Sequence, residues 1–454
     1  VKFVRAVPFL LAAVITLNPV AAIAQTQGPI YIVEEGDTLF AIALVFGTSV
    51  DQLASANAIE DPSNIFPGQE LVIPGLEGMT GILQFENLAF GESLSSLSIK
   101  HGTSPDLLAR LNRIVHADSL IAGQSFAYSD DSLIGTPMPS AERVSVSPAV
   151  SLLETAISLG ADPWATRRLN RTAWAIPGDM LYAPGDRLST SALPPDFESV
   201  AIGPLPTIQG RTIVIAIQTA NPDGVSGMLG ESELALIESS PGVLTALHGV
   251  HALAEPGLLN LELRASSGAS HSQAIQLAEG NYGLEALIVP EQTLDPASTG
   301  PEDQLIAEVV NRVSSTKLWD GVFSFPTGYY EAFPSFFGTR RSYNGSAFIY
   351  YHTGLDLYGS TTTPVLAPAR GRVAFTDFLT VRGNVTYIDH GWGVYTGYLH
   401  QSEVLVELGE LVEPGQTIGF VGGTGRVTGP HLHWEVWVGG IPVDPLEWTR
   451  TVFP

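Results

Sequence analysis

Five residues in the last quarter of the chain have the types and spacing to do chemistry. They are His352 and Asp356 in HTGLD, His400 closing YTGYLH, and His431 and His433 in HLH. Histidine is the commonest metal ligand among side chains. The chain has no cysteine, so any metal must be held by histidine and carboxylate. HLHWEVWV (431–438) alternates as a strand does, and residues two apart on a strand share a face. His431 and His433 therefore point together with Glu435 and Trp437, while Leu432, Trp434 and Val436 point the other way. An HxH alone is as readily a pair of solvated histidines as a ligand beside a catalytic partner, and solvent exposure is at least as good a reading of Glu435 as support behind a ligand. HTGLD adds a constraint. Four residues of extended chain cover roughly 13 Å, too far for both ends to reach one ion, so the chain must turn between His352 and Asp356. Gly354 permits that turn, and Gly429-Pro430 are placed to fix the HxH loop. If the five residues converge, they make a zinc site with an open position, and the protein is a hydrolase.

The elements that must position these residues occupy only part of the chain. At 454 residues, three or more domains are expected, and 45% hydrophobic against 15% charged residues excludes wholesale disorder. Residues 1–24 read as a secretory signal: Lys2 and Arg5, an apolar run from Val7 to Leu17, then Ala22-Ile23-Ala24. The expected product is secreted, periplasmic or wall-associated, with no stable membrane insertion after cleavage; the alternative is an uncleaved membrane anchor. A net charge of −25 argues against nucleic acid as a partner. It also denies the protein a general attraction to an anionic envelope, so localisation must come from specific binding.

An internal repeat supplies such binding. Gly36, Leu39, Gly47, Leu53, Asn57 and Gly68 recur 55 positions later as Gly91, Leu94, Gly102, Leu108, Asn112 and Gly123. A weaker third copy keeps Leu152, Gly160 and Asn170. Each unit reads as strand, helix, helix, strand. Thr38 or Ser93 caps the first helix, Gly47 or Gly102 ends it in the left-handed conformation, and PGQELVIP (67–74) is the return strand. The first copy resembles the LysM module closely. That resemblance implies binding of N-acetylglucosamine-containing glycans such as peptidoglycan, in a groove between Gly36, Asp37, Thr38 and Leu39 and the loop after the second helix, with Asn64 and Ile65 as candidates. In the later copies the GDT triplet becomes Gly91-Glu92-Ser93 and Ala149-Val150-Ser151. The modules are expected at 25–76, 80–129 (divergent) and 141–187 (degenerate).

From 196 to 296, six short apolar runs ending in YGLEALIV (282–289) suggest an antiparallel, immunoglobulin-like β-sandwich spacer. Its His248, His251 and His271 read as ordinary strand histidines. Residues 297–318 read as a helical connector. The remainder, 319–454, resembles the lysostaphin/LytM-type zinc metallopeptidases through SFFGTRRSY, HTGLDLYG, IDHGWGVYTGYLH and GPHLHWEV. The resemblance implies an all-β catalytic domain binding one Zn2+. It makes His352, Asp356 and His433 the ligands, makes His400 and His431 the catalytic histidines, and leaves His390 structural. On a catalytic zinc with one open position, the pKa of water falls to about 7. The function expected is a zinc-dependent peptidoglycan endopeptidase cutting stem-peptide or cross-bridge amides. The alternatives are a non-catalytic activator of a separate wall amidase, or a wall-binding structural protein. The aromatic cluster Tyr329, Tyr330, Phe333, Phe336, Phe337, Tyr343, Tyr350 and Tyr351 reads first as packing under loops, and second as a groove wall or lid.

Overall fold

The computed structural model describes residues 28–76, 78–116, 120–130, 138–185, 189–291, 294–328 and 332–454. The signal segment and Tyr329 and Tyr330 lie outside the described residues. By contact the chain divides after Ile82 into two compact units.

The first unit holds β1 (Ile30–Ile32), α1 (Leu39–Phe46), α2 (Val50–Ala56) and β2 (Glu70–Val72), with β1 and β2 antiparallel. The second begins with the same order twice over. First come β3 (Leu83–Asn87), α3 (Leu94–His101), α4 (Pro105–Leu111) and β4 (Ser125–Ser129). Then follow β5 (Ala141–Ser145), α5 (Leu152–Ser158), α6 (Pro163–Asn170) and β6 (Met180–Pro184). The caps are those the sequence asks for. Thr38 and Ser93 accept from Ala41 and Ser96 amides, and Gly47 and Gly102 sit at φ 65° and 63°. The structure also explains the repeating asparagine. Asn57 donates to the Leu53 and Val72 carbonyls and accepts from the Val72 amide. Asn112 does the same to Leu108 and Ala127, and Asn170 to Thr166 and Tyr182. One amide side chain thus satisfies the end of the second helix and ties it to the return strand.

Two sheets follow. One contains β8 (Thr207–Ile208), β10 (Val225–Leu229), β11 (Ser232–Glu233), β14 (Gly257–Ala265) and β15 (Ser270–Ala278). The other contains β7 (Ser199–Gly203), β9 (Thr212–Gln218), β12 (Ile237–Ser240) and β13 (Val243–Gly249). They share a core that includes Phe197, Ile213, Ile215, Ile217, Leu261, Leu263 and Ile275. All pairings in them are antiparallel except β8 with β15. The sixth apolar run departs from expectation. Its strand β16 (Leu284–Leu287) joins neither sheet, and pairs in parallel with β17 (Arg340–Tyr343), which pairs in turn with β18 (Tyr350–Tyr351).

Helix α7 (Pro296–Val310) leads to the C-terminal sheet. That sheet runs in the order β19 (Leu355–Tyr358), β27 (His431–Val438), β23 (Val394–Gln401), β22 (Gly383–Gly391), β21 (Gly371–Leu379), β25 (Leu411–Val412), with β28 (Ile441–Val443) beside β27. A small sheet of β20 (Pro364–Leu366), β24 (Glu403–Val404) and β26 (Thr417–Phe420) packs alongside, and α8 (Pro445–Trp448) closes the fold. Leu432, Trp434 and Val436 enter the main core with Leu355, Tyr398 and Trp448. The opposite face of the sheet is covered too. Ile306, Val309 and Val310 of α7 pack on Val385, Tyr387, Tyr395 and Leu399, at about 1.5–3 kcal/mol for each fully buried aliphatic side chain. Glu302 and Asp303 anchor the same helix through the Val381 amide and the Arg382 guanidinium. The segment expected as a connector is therefore a layer of the domain. No helix among the described residues is long and apolar enough to cross a membrane.

Candidate active site

Antiparallel register builds the site. Asp356 on β19 lies directly opposite His433 on β27, and Leu399, one residue before His400, lies opposite His433 on the other side. His352 precedes β19, and the chain bends at Gly354 to bring its ring back. Gly354 is needed for close approach: a Cβ there would run into the Trp434 carbonyl oxygen and come within 2.9 Å of His433 Nε2. The Gly429 position has open space, but its carbonyl accepts from His431 Nδ1 at 2.8 Å and orients that ring.

His352 Nε2, Asp356 Oδ1 and His433 Nδ1 form a triangle with sides of 3.0, 2.9 and 2.8 Å. The far side of each ring fixes its tautomer. His352 Nδ1–H donates to the Phe336 carbonyl at 2.9 Å, and His433 Nε2–H donates to Glu435 Oε1 at 3.1 Å. A carbonyl or carboxylate can only accept, so Nε2 of His352 and Nδ1 of His433 present lone pairs to a carboxylate oxygen. Three buried acceptors this close need a proton or a metal ion among them, and together they could hold a metal ion.

The charges are arranged accordingly. Burial alone would raise the Asp356 carboxyl, but His352 and His433 hold it well below the usual carboxylate range. Burial lowers His352 to about 4 despite Asp356. For His433, burial is outweighed by hydrogen bonds and charge from Asp356 and Glu435, which raise it to about 9.

Glu435 corrects the reading of a solvent-exposed carboxylate: it is 2% exposed. Oε1 accepts from Thr353 Oγ1 and His433 Nε2, and Oε2 from Tyr387 Oη and Trp437 Nε1, all within 3.1 Å. Burial pushes its carboxyl up, and His433, Arg382 and Thr353 override that to hold it at about 2. The other oxygen of Asp356 faces Arg341 Nη2 at 3.6 Å. Arg341 in turn is held by Glu285 at 3.0 Å and Ser335 at 3.0 Å. An arginine pair next to a ligand-bearing segment was the only sequence signal for it.

His400 and His431 stand beside the triangle, with ring centroids 5.2 Å apart, and His400 is 6.1 Å from His433. His400 Nδ1–H donates to the Thr424 carbonyl at 2.8 Å, leaving Nε2 as the basic atom. Its backbone takes φ 65°, a left-handed conformation that sets the ring's direction at the strand end. Burial first, then the neighbouring His433 and His431, lower its pKa to about 3, so the ring is neutral at neutral pH. His431 Nε2 is 3.7 Å from Asp356 Oδ1. His390 is fully buried on β22 between the Arg370 carbonyl and Thr396 Oγ1, away from the triangle.

The five residues open into a cavity of about 760 Å³. Its walls include β16, the start of α7, Arg426 and the tyrosines 343, 350 and 351. The aromatic cluster is thus divided. The tyrosines line the cavity, whereas Phe337 packs on Tyr282 and Tyr351, and Phe333 stacks on Phe325. His251, expected to be an ordinary strand histidine, lines the cavity as well and lies 3.3 Å from the Tyr351 hydroxyl.

Among the glycan-binding candidates, Gly36, Thr38 and Asn64 are exposed and Asp37 and Ile65 half-buried, but Leu39 is a core residue. Asp37 Oδ2 is engaged by the Tyr31 hydroxyl and the Glu34 amide. The corresponding loops of the second copy are occupied from within the chain. The Gly91 amide donates to Gln273 Oε1, Gln273 Nε2 donates to the Leu120 carbonyl, and Ala122 exchanges hydrogen bonds with β15. Exposed Phe40, Leu44 and Phe66 of the first copy correspond to exposed Leu153, Ile157 and Ile176 of the third. In the second copy the Ile99 counterpart is packed against Leu169 and Tyr182.

Residues 350–445 match the family model Peptidase family M23, and residues 31–74 and 89–126 match LysM domain. Peptidoglycan DD-endopeptidase ShyC of Vibrio cholerae is 44% identical over 109 residues, 24% of this chain and 25% of that protein. DD-carboxypeptidase/endopeptidase Mpg of Neisseria meningitidis is 45% identical over 96 residues, 21% of this chain and 22% of that one. The chain thus spans about a quarter of the length of these curated relatives. A zinc containing peptidase from Vibrio cholerae aligns over 94% of this chain and 99% of its own at 17% identity and TM-score 0.29, a likeness too loose to carry an argument. The chain thus carries two LysM domains ahead of a Peptidase family M23 domain, which contains all five site residues.

Proposed function

We propose that the protein is a zinc-dependent peptidoglycan endopeptidase that acts outside the cytoplasm and is held on the wall by its first LysM domain. His352, Asp356 and His433 would hold the zinc. The D,D type of cross-link is the bond we assign to it, as in the relatives named DD-endopeptidases. The observation that carries the reading is the triangle of three buried atoms, with both histidine rings aimed by a hydrogen bond on the far side and the carboxylate faced from behind by Arg341. When bound, the ion supplies Lewis acidity, polarising the scissile carbonyl and acidifying water.

The chain's own groups supply the rest. His400 Nε2 and His431 Nε2 take the proton from the attacking water and return it to the leaving amine. Their Nδ1–H bonds to the Thr424 and Gly429 carbonyls keep both rings in the tautomer this needs. Burial keeps the His400 ring neutral, and its Nδ1–H bond leaves the Nε2 lone pair free. Arg341 and Glu435 position Asp356 and His433 from behind. The third βααβ unit, 141–184, we assign as a further LysM-type module, and the two-sheet region as a spacer that also walls the cavity.

The test is to incubate the zinc-loaded chain with purified sacculi and identify the released muropeptides by mass spectrometry. New amino termini at D-alanyl cross-links are expected. Their absence in a sample holding stoichiometric zinc would leave the regulator reading in its place.

A further inference from the structure

The third βααβ unit carries a face that the catalytic reading does not use. Helix α6 turns Thr166 and Leu169 inward. Trp164, Arg167 and Arg168 then fall at i, i+3 and i+4, on one face, and Arg171, the left-handed C-cap, follows them and lines the same groove. Trp164 is 64% exposed, and Trp174, in the turn after the helix, is 80% exposed. The Arg167 guanidinium lies 6.0 Å from the Trp164 ring centre. An open groove of about 420 Å³ is lined by Trp164, Arg167, Arg168, Arg171, Thr172 and Ala173.

Two features separate this face from a solvated helix surface. Both indoles are exposed beside the arginines, and tryptophan and arginine are the residues that most often dominate binding energy. Its charge also runs against the rest of the molecule. A chain with 46 acidic and 21 basic residues places three arginines within five positions. Their internal partners are weak: Arg168 reaches Asp162 at 3.9 Å and Arg171 reaches Asp106 at 3.3 Å, both pairs exposed. Arg167 has no carboxylate partner among the described residues. Net charge disfavours a second copy of this chain, and an eight-residue helix with one apolar side chain on its face does not suit a lipid surface.

We propose that this face is a second wall-binding site, distinct from the LysM loop groove, which takes the free carboxylates of uncross-linked stem peptides. The guanidinium groups bind the carboxylates, and Trp164 and Trp174 pack against the neighbouring sugar ring. The proposal rests on peptidoglycan being the substrate, and adds that the protein recognises peptides bearing free carboxylates apart from its active site.

The test uses the full chain with its seven tryptophans replaced by 5-fluorotryptophan and its metal stripped by chelator. Fluorine resonances of Trp164 and Trp174 are assigned from Trp164→Phe and Trp174→Phe. The probe is a purified disaccharide-tetrapeptide, which has no cross-link to cut. Both resonances are expected to shift, and the Arg167→Gln/Arg171→Gln double variant to bind about tenfold more weakly. The carboxyl-amidated muropeptide should bind the wild type as weakly as the variant binds the native probe. Resonances unmoved at saturation, equal shifts with the amidated probe, or tighter binding of polyphosphate at matched charge would each overturn the proposal. Turnover of a cross-linked muropeptide dimer, measured separately on zinc-loaded protein, distinguishes failure here from failure of the catalytic reading.

Discussion

Glu435→Gln is the sharpest perturbation the structure offers, because it changes charge and hydrogen bonding with almost no change of volume. The wild-type carboxylate accepts from four donors: Thr353 Oγ1, His433 Nε2, Tyr387 Oη and Trp437 Nε1. A glutamine has one acceptor oxygen and one NH2 group, so in either orientation two of these donors face an amide NH2. The residue is 2% exposed, and water cannot take the missing role. Thr353 Oγ1 or Tyr387 Oη can turn to accept from that NH2, which leaves one ring N–H unpaired. At about 1–3 kcal/mol for a buried donor left unpaired, the substitution should cost the C-terminal domain about that much. His433 also loses the anion that fixes its tautomer, and changes of this kind cost about 10–100-fold in metal affinity. Several domains share the chain, so one unfolding free energy would mislead. Hydrogen exchange of the β22, β23 and β27 amides reads the first effect, and competition with a zinc chelator reads the second. A Tyr387→Phe variant, which removes one donor and leaves the carboxylate, should show a smaller loss of protection and near-normal zinc affinity. If Glu435→Gln retains zinc within twofold and keeps wild-type protection, the claim that this carboxylate positions His433 is wrong.

Three further outcomes follow from particular contacts. Asp356→Ala should lose metal outright, whereas His400→Ala should keep stoichiometric metal and lose turnover by about 10²–10⁴-fold, as checked by metal analysis and muropeptide release; full activity in both would reverse the assignment of roles. Asn57→Ala removes three hydrogen bonds within the first unit, about 2–4 kcal/mol, and should expose 28–82 to limited proteolysis while 83–454 stays intact. Glu447 concerns pH. Burial raises its carboxyl from an ordinary 4.5 to about 7, even though it accepts from the Thr212 amide. A raised carboxyl contributes stability that is complete below the unfolded value and lost as pH rises through the folded one. Stability should therefore fall between about pH 4.5 and 7, by up to about 3 kcal/mol. Glu447→Gln should flatten that fall in denaturant titrations, and an unchanged slope would remove Glu447 as its cause.

The convergence of His352, Asp356 and His433 was legible only in part. The alternation in HLH and the forced bend in HTGLD allowed these residues to meet, while the choice of these three as ligands came from the resemblance to the lysostaphin/LytM-type metallopeptidases. Register did the rest, by setting Asp356 opposite His433. The repeat was legible for a similar reason, since capping residues and left-handed glycines carry local backbone geometry in their identities. Glu435 was misread because alternation says which face a side chain takes and nothing of what covers that face. Tyr387 and Trp437, which bond Glu435, belong to the cluster that α7 covers, and Ile306, Val309 and Val310 of that helix look in sequence like any amphipathic helix. The strand β16 failed for the same reason: YGLEALIV has the composition of a spacer strand, and its partner, β17, is more than fifty residues on. His251 and Arg341 act through neighbours distant in sequence, and no local pattern announces such contacts.

These long-range contacts bear on what the catalytic unit is. A domain cut at 319 would keep all five site residues and lose much of the cavity around them. Glu285, which holds Arg341 against Asp356, would be gone, as would the β16–β17 pairing and His251 beside Tyr351. The α7 layer over Tyr387 and Leu399 would go with them, together with the Glu302 and Asp303 contacts to the 381–382 loop. That loop supplies the carbonyl that accepts from the His400 amide. The seam is also substantial at the far end, where the Trp448 indole donates to Thr212 and the Asp444 amide to Gly210. A fragment beginning at 319 should therefore bind metal through its three ligands, yet hold Asp356 and His400 less firmly than the chain that includes the two sheets and α7. On the proposed reading substrate choice belongs to the larger unit as well, because the cavity walls beyond His352, Asp356 and His433 are built from segments on both sides of that cut.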